Sequence, residues 1–371
     1  MRDKKTQMGY IFSAAVFTVF IGGFFILSIF FPHPRVLVSE RRFPARFPAL
    51  SAKTILSAEF MNRFNDYAAD NFPFRDSFRS INSQMVLRLY MQSDKSGLYL
   101  DEFGIGEFKT IDSESFRELS RKISAIAAPL NEAKVSIYYA YIPDKSIYSS
   151  RDLPGFDLLH LGMLMEEQLG MEEFVNIDLS EALSAQSYYS SDLHWNQVML
   201  LPVLEKLGDA MGFLADLSQY NEEYIGEFEG VYTGQLALTK KTDDLNCLFN
   251  PSLSAMYLGQ LTMEMEEGPV YDPEKLSGLD AYDFFLNGAQ PLIVLENPEA
   301  SSERELYLFR DSFSSSLAPL LGCAYAKIYL IDLRYIDMRT LGRYVQFKPG
   351  SDALFLYSSL IINNAEILQV G

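Results

Sequence analysis

The chain has 371 residues, with 49 acidic side chains against 31 Lys and Arg and a formal net charge of −18. With no basic run to offset phosphate repulsion, it is not built to bind nucleic acid. Two cysteines, Cys247 and Cys323, form no CxxC and three histidines are too few for a His-rich site, so no metal and no cofactor are expected.

Residues 8–31 carry no charge. At about 1.5 Å per residue the run is long enough to cross a hydrocarbon core of roughly 30 Å. Arg2, Lys4 and Lys5 precede it, and Pro32-His33-Pro34-Arg35 follows in place of a small-residue cleavage site. That is the pattern of an uncleaved signal anchor. Arg35, Arg41, Arg42 and Arg46 balance the basic residues before the run, so the positive-inside count does not decide orientation. The short tail is the easier side to leave in the cytoplasm. The expected layout is a cytoplasmic tail 1–7, a transmembrane anchor 8–31, a membrane-proximal helical segment 32–95 and an extracytoplasmic α/β domain 96–371. His33 falls at the membrane boundary.

In the proximal segment, residues 41–48 read as extended because a residue before proline avoids the α region. Leu56, Phe60, Phe64 and Tyr67 recur at helical spacing, residues 70–76 break the pattern, and a second helix runs through Ile81, Met85, Leu87 and Leu89. Further on, Asp112 or Ser113 caps a helix whose apolar residues Phe116, Leu119, Ile123, Ile126 and Leu130 step by three and four. Residues 135–142 form a strand that ends in Pro143-Asp144-Lys145. Residues 157–170 are helical, and 174–179 form a second strand. The next helix, 196–211, contains Pro202, which either kinks it or marks its true first turn. Residues 220–290 hold loops and short strands. The last third alternates: strands at 292–295 and 306–309, a helix from Phe313, a strand at 327–331, a helix at 336–344 and a strand at 353–357. Strands alternating with helices through short connections imply a parallel sheet, with ligands at the carboxyl ends of its strands.

Ser312 stands where the strand 306–309 hands over to a helix, a position that suits either a helix cap or a nucleophile. Far upstream, Tyr188-Tyr189-Ser190-Ser191-Asp192-Leu193-His194-Trp195 holds one of the histidines and the single tryptophan. Asp192 and His194 are two apart and share a side in an extended segment, although a direct bond between them needs a turn. Such an Asp holds an imidazole in one tautomer while the other ring nitrogen takes a serine proton. Backbone N–H groups of Ser312 and Phe313, at the start of a helix, are candidates to hold an oxyanion. Lys145 is either a substrate contact or a solvated loop lysine. Tyr188, Tyr189 and Trp195 either stack on sugar rings or fill the core. His160, in an apolar setting, reads as structural. The cysteines are either buried thiols or one disulfide.

Several short motifs in order carry a family resemblance. They are Arg-Phe-Pro (46–48), Asp-Asn-Phe-Pro-Phe-Arg-Asp (70–76), Pro143-Asp144-Lys145 with Tyr148, Asp192-Leu193-His194-Trp195 and Phe-Glu-Gly-Val-Tyr (228–232). Arg310-Asp311-Ser312-Phe313 with Pro319, and Ile-Asp-Leu-Arg-Tyr (331–335), complete the set. Together they resemble the DHHW family, which belongs with the SGNH-hydrolase-like proteins that include the extracytoplasmic alginate O-acetyltransferases. Leu193 departs from the family name by replacing its first histidine.

The resemblance implies an SGNH-like parallel sheet flanked by helices and a triad with Ser312 as nucleophile, His194 as general base and acid, and Asp192 as its orienter. It also implies O-acetylation of a cell-surface or exported polysaccharide, with a multi-pass membrane O-acyltransferase as acetyl donor. A carbohydrate esterase with the same triad, or a non-catalytic polysaccharide-binding or assembly protein, fits the same residues.

Overall fold

The computed structural model describes residues 2–51, 53–54, 57–149, 162, 164, 174–238 and 242–370. The expected helix 157–170, with His160, lies outside the described residues apart from positions 162 and 164. Chain contacts define two units, one of residues 1–91 with 234–239 and one of residues 92–233 with 240–371.

In the first unit, helix α1 (Arg2–Phe30) contains the apolar stretch Gln7–Phe30, long and apolar enough to cross a membrane. Helices α2 (Glu59–Asp70) and α3 (Arg75–Gln84) flank the predicted break, and one π turn (Met85–Leu89) continues α3. The break is held by charge. The buried Asp70 carboxylate accepts Arg42 Nη1 and Nη2 at 2.7 and 2.6 Å and the Ala45 N–H at 2.8 Å. Glu40 pairs with Arg75 at 2.5 Å and Arg79 at 3.2 Å. The extended segment is thereby tied at Arg42 and Ala45 to the end of α2.

The second unit is built on an eight-stranded sheet in the order β4-β3-β12-β10-β11-β9-β7-β8. Its strands are β3 (Ser136–Ile142), β4 (Val175–Asp178), β7 (Ser254–Leu258), β8 (Met265–Gly268), β9 (Leu292–Glu296), β10 (Glu305–Arg310), β11 (Lys327–Ile331) and β12 (Asp352–Ser358). Five neighbours, β4, β3, β12, β10 and β11, run parallel, and β9 turns antiparallel against β11. Two hairpin-like pairs lie outside this sheet: β1 (Leu98–Asp101) with β2 (Gly104–Glu107), and β5 (Asn221–Phe228) with β6 (Asp243–Phe249).

Burial explains the apolar run of β10. Leu306 and Leu308 enter one core with helices α5 (Leu201–Met211) and α7 (Ser314–Leu321), while Tyr307 and Phe309 enter another with α4 (Ser113–Glu132). A strand covered on both faces has no polar side to alternate with. Phe309 stacks on Phe355 of β12 at 4.6 Å. Short helical turns α6 (Val231–Leu236), α8 (Met338–Leu341) and α9 (Ser359–Ile362) complete the chain. Asp112 caps α4 as expected, accepting from the Glu114 and Ser115 N–H groups. Pro202 marks the first turn of α5, because a ring without an N–H costs nothing there. The helix expected at 336–344 is the single turn α8, started by Asp337 accepting from Thr340 N–H. Both cysteines are free and buried.

Hydrogen bonding from Arg42 holds the Asp70 carboxyl below its ordinary value, although burial pulls the other way. Its contribution to stability is full above the ordinary carboxyl range near about 4 and is lost as the pH falls through the depressed folded value. Asp70→Asn is expected to destabilise the first unit by about 1–3 kcal/mol at neutral pH. In thermal unfolding of the detergent-solubilised chain, the gap between variant and parent should close on strong acidification; a gap that does not change with pH would show that the charge is not what Asp70 contributes.

Candidate active site

Ser312 lies in the turn between β10 and α7, half-buried. Its Oγ is 2.8 Å from His194 Nε2, and His194 Nδ1 is 2.7 Å from Asp192 Oδ1. Asp192 is fully buried and His194 nearly so. The turn that a direct Asp–His bond needs is present: Tyr188 and Trp195 pair across an antiparallel bridge, and residues 190–194 bend between them. At this tip Asp192 Oδ1 also accepts the His194 N–H at 3.0 Å, while Oδ2 accepts Val231 N–H at 2.8 Å. An imidazole so held presents one nitrogen to a carboxylate and the other to a hydroxyl, the arrangement that moves a proton to and from serine.

Long-range contacts seat the tip. Asp243, at the start of β6, accepts four hydrogen bonds, from the N–H and Oγ of both Ser190 and Ser191. Gly230 packs so closely that a Cβ would meet Ser191 O at 2.2 Å, which explains the glycine. Tyr188 Oη donates to Pro143 O at 2.6 Å.

Four expected site residues have other tasks. Lys145 is buried, and its Nζ donates to Ile105 O at 2.9 Å and Tyr189 O at 2.8 Å. It fastens the loop after β3 to the tip. Tyr189 is buried against Phe228 and Tyr282, and Trp195 is wholly buried, its indole donating to Phe313 O and Ser316 Oγ. Neither ring face is open to a sugar; the core-packing alternative holds. The Phe313 N–H donates to Asp311 Oδ1 at 3.1 Å. Phe313 is itself the N-cap of α7, which starts at Ser314, and with its N–H on Asp311 it does not hold that group open for an oxyanion. Ser312 N–H has no hydrogen bond among the described residues.

Residue-by-residue reading missed Tyr282. Its ring stacks on the His194 imidazole, with centroids 3.8 Å apart and planes 8° from parallel, and its Oη donates to Ser316 Oγ at 2.8 Å. Burial pushes its phenol upward, so it stays neutral. It comes from a single 3-10 turn (Ala281–Phe284), too short for periodicity to mark it in the sequence. A second cluster lies beyond β3. Burial pulls the Lys109 ammonium down, but the Asp144 and Glu107 carboxylates, each 3.3 Å away, outweigh it and hold it above its usual value. Among the described residues no group of His, Cys, Asp and Glu is arranged to hold a metal ion.

A largely parallel sheet with a hydrogen-bonded Asp–His–Ser chain at the carboxyl end of a central strand defines an SGNH-hydrolase-like α/β fold. Among solved structures, the chain is similar to a DHHW family protein from Eubacterium siraeum, with 16% identity, a TM-score of 0.60, and 75% of this chain and 97% of that one covered. It is similar also to Bacillus cereus PatB1 solved with a sulfonyl adduct, at 16% identity and a TM-score of 0.58 over 74% of this chain and 97% of that one. A second structure of PatB1 matches at 18% identity and a TM-score of 0.55, over 72% and 97%. No family model matches the chain, and neither does any curated protein.

An electron-rich ring face against an imidazole that gains charge during proton transfer is worth about 0.5–2 kcal/mol. Tyr282→Leu is therefore expected to slow covalent modification of Ser312 by a sulfonyl fluoride about 3–30-fold. Tyr282→Phe, which keeps the ring, should stay within about threefold of the parent. Equal losses in the two variants would assign the effect to the hydroxyl and not to the stacked face.

Proposed function

We propose that the chain is a membrane-anchored O-acetyltransferase that works outside the cytoplasm on a cell-surface or exported polysaccharide, with Ser312 as the acyl carrier. The observation that supports the reading most is the unbroken Asp192–His194–Ser312 chain, with links of 2.7 and 2.8 Å, at the carboxyl end of β10. Helix α1 supplies the anchor, with the short N-terminal tail in the cytoplasm. The resemblance to the DHHW family supplies the reaction class.

The steps follow from the geometry. His194 Nε2 takes the Ser312 proton as Oγ attacks the acetyl carbonyl of the donor, while Nδ1–H donates to Asp192 and the carboxylate stabilises the imidazolium. The oxygen that becomes negative is served by the Ser312 N–H. Collapse of this adduct expels the donor's leaving group, which takes the proton from His194. A sugar hydroxyl then attacks acetyl-Ser312, His194 accepts its proton, and the second collapse returns that proton to Oγ. Dividing the transfer in two is the use of such a serine. Acetyl-CoA is cytoplasmic, so the donor partner is a multi-pass membrane O-acyltransferase that passes acetyl groups across. With a net charge of −18, the chain meets a neutral or amino-sugar polymer more readily than an acidic one.

The test is to incubate the chain with an activated acetyl ester, with and without oligosaccharide acceptors, and locate acetyl by mass spectrometry. Acetyl is expected on Ser312 and then on sugar. Ser312→Ala should abolish the adduct, and Asp192→Asn should slow its formation by about 10³–10⁴. Acetate release without sugar acetylation would make the chain an esterase. A folded chain with no adduct across a broad acceptor panel would make it a binding or assembly protein.

A further inference from the structure

We propose that α3 and its π turn lie in the surface of the membrane, with one apolar face sunk into the lipid leaflet. The proposal rests on the reading of α1 as a membrane span. Phe74, Phe78, Ile81, Met85 and Leu89 follow at intervals of four, three, four and four residues, and so line one face of a helix. All five are exposed; Ile81 keeps 56% of its surface and Leu89 68%. The rest of the helix is engaged: Arg79 Nη2 donates to Gly234 O and Gln235 O, and Ser83 Oγ donates to Leu236 O. The apolar stripe keeps much of its surface exposed within its unit.

Its level relative to α1 identifies what covers it. Phe24 of α1 stacks on Phe72, with ring centroids 5.4 Å apart and planes 2° from parallel, and meets Phe78 edge-on at 5.8 Å. Phe31, just past the end of α1, packs on Phe74 at 5.0 Å. At about 1.5 Å per residue, Phe24 lies about 9 Å before the end of α1 at Phe30. Phe74 and Phe78, which begin the stripe, are therefore level with the last two turns of the apolar helix. When α1 spans a bilayer, that level is the boundary of headgroups and acyl chains, the layer into which an interfacial helix sinks its apolar face by about 5–10 Å. Between α1 and α2 an apolar cavity of about 700 Å³, lined by Phe20, Phe24, Phe25, Phe64 and Phe72, opens beside the stripe and suits an acyl tail. A soluble partner or a second copy would have to reach the stripe at that depth.

The test uses the full chain in phosphatidylcholine vesicles. An NBD group is attached after Ile81→Cys or, separately, after Val19→Cys; the native Cys247 and Cys323 are buried and do not compete for label. Both substitutions fall on exposed positions, so folding is not at stake. At position 81, a nitroxide near the lipid headgroups should quench at least about twofold more than one at the bilayer centre, and at position 19 the order should reverse. Deep quenching at 19 with unquenched, water-like emission at 81 overturns the proposal and leaves the span intact. Blue-shifted emission at 81 without nitroxide quenching means that protein covers the stripe, and overturns it too. No quenching at either position removes the span, and the proposal falls with it.

Discussion

The site depends on the bond between the indole N–H of Trp195 and the carbonyl of Phe313, 2.9 Å long and fully buried. Trp195 directly follows His194, and Phe313 directly follows Ser312. His194 and Ser312 are 118 positions apart in the chain, and their immediate neighbours are locked together. The same indole N–H also lies 3.0 Å from Ser316 Oγ, and Gln197 Nε2 donates to Ser316 O at 2.7 Å. Buried donors left unpaired cost about 1–3 kcal/mol each, so the tip cannot drift from α7 without breaking several at once. In the proposed reaction an error of about 1 Å between nucleophile and base would cost about a hundredfold in rate, which such a firm hold prevents.

Arg310 extends the same constraint to a third element. It is wholly buried, and burial pulls its guanidinium below the usual value. Nη1 reaches Ser315 Oγ at 2.7 Å, and Nη2 reaches Gly288 O at 3.2 Å. Leu286, Asn287 and Gly288 all have left-handed backbones, and a Cβ on Gly288 would meet Asp283 Oδ1 at 2.2 Å. Such a turn is strained at its two non-glycine residues and persists where the surroundings hold it. Arg310 is one such hold, and the loop it secures carries Tyr282 onto His194. The buried cation therefore orders the site through its neighbours and makes no approach to the imidazole.

What the sequence made legible follows from how local each signal is. The parallel core strands were readable because a strand buried on both faces is a run of apolar residues, as Leu306, Tyr307, Leu308 and Phe309 are. Asp112 announced α4 because a cap and its helix are neighbours. The antiparallel course of β9 had no local signature, since strand direction is settled by the chain path from Gly268 to Pro291. Helix 336–344 was overestimated because Leu341 and Val345 are buried by the sheet and not by helical periodicity. In the site, Asp192, His194 and Ser312 stood in short recognisable strings, and the fold brings them within hydrogen-bonding distance. Asp243 and Tyr282 act on that group from 51 and 88 positions beyond Asp192 and His194 respectively, in stretches with no pattern of their own. Lys145, Tyr189 and Trp195 also stand in recognisable strings, but sequence does not say which way a side chain faces.

Two buried carboxylates flank the Ser312–His194 bond, and their partners separate them. Asp192 bonds the imidazole and two backbone N–H groups. Asp311 adjoins Ser312 in sequence but gives one oxygen to Phe313 N–H and the other to Ser358 N–H and Oγ at 2.8 and 2.7 Å. The first is placed to balance a cationic imidazole; the second pins the nucleophile's turn to the end of β12. That pinning has a consequence for the proposed chemistry. It uses the N–H that would otherwise be a second donor to an oxyanion and sets a carboxylate at the start of α7, where the helix dipole would favour the oxyanion. The Ser312 N–H and the imidazolium, held between Asp192 and the face of Tyr282, then carry more of the stabilisation than in a site with two free backbone donors. In the proposed mechanism the Tyr282 ring stacked on His194 offsets the donor that this turn gives up.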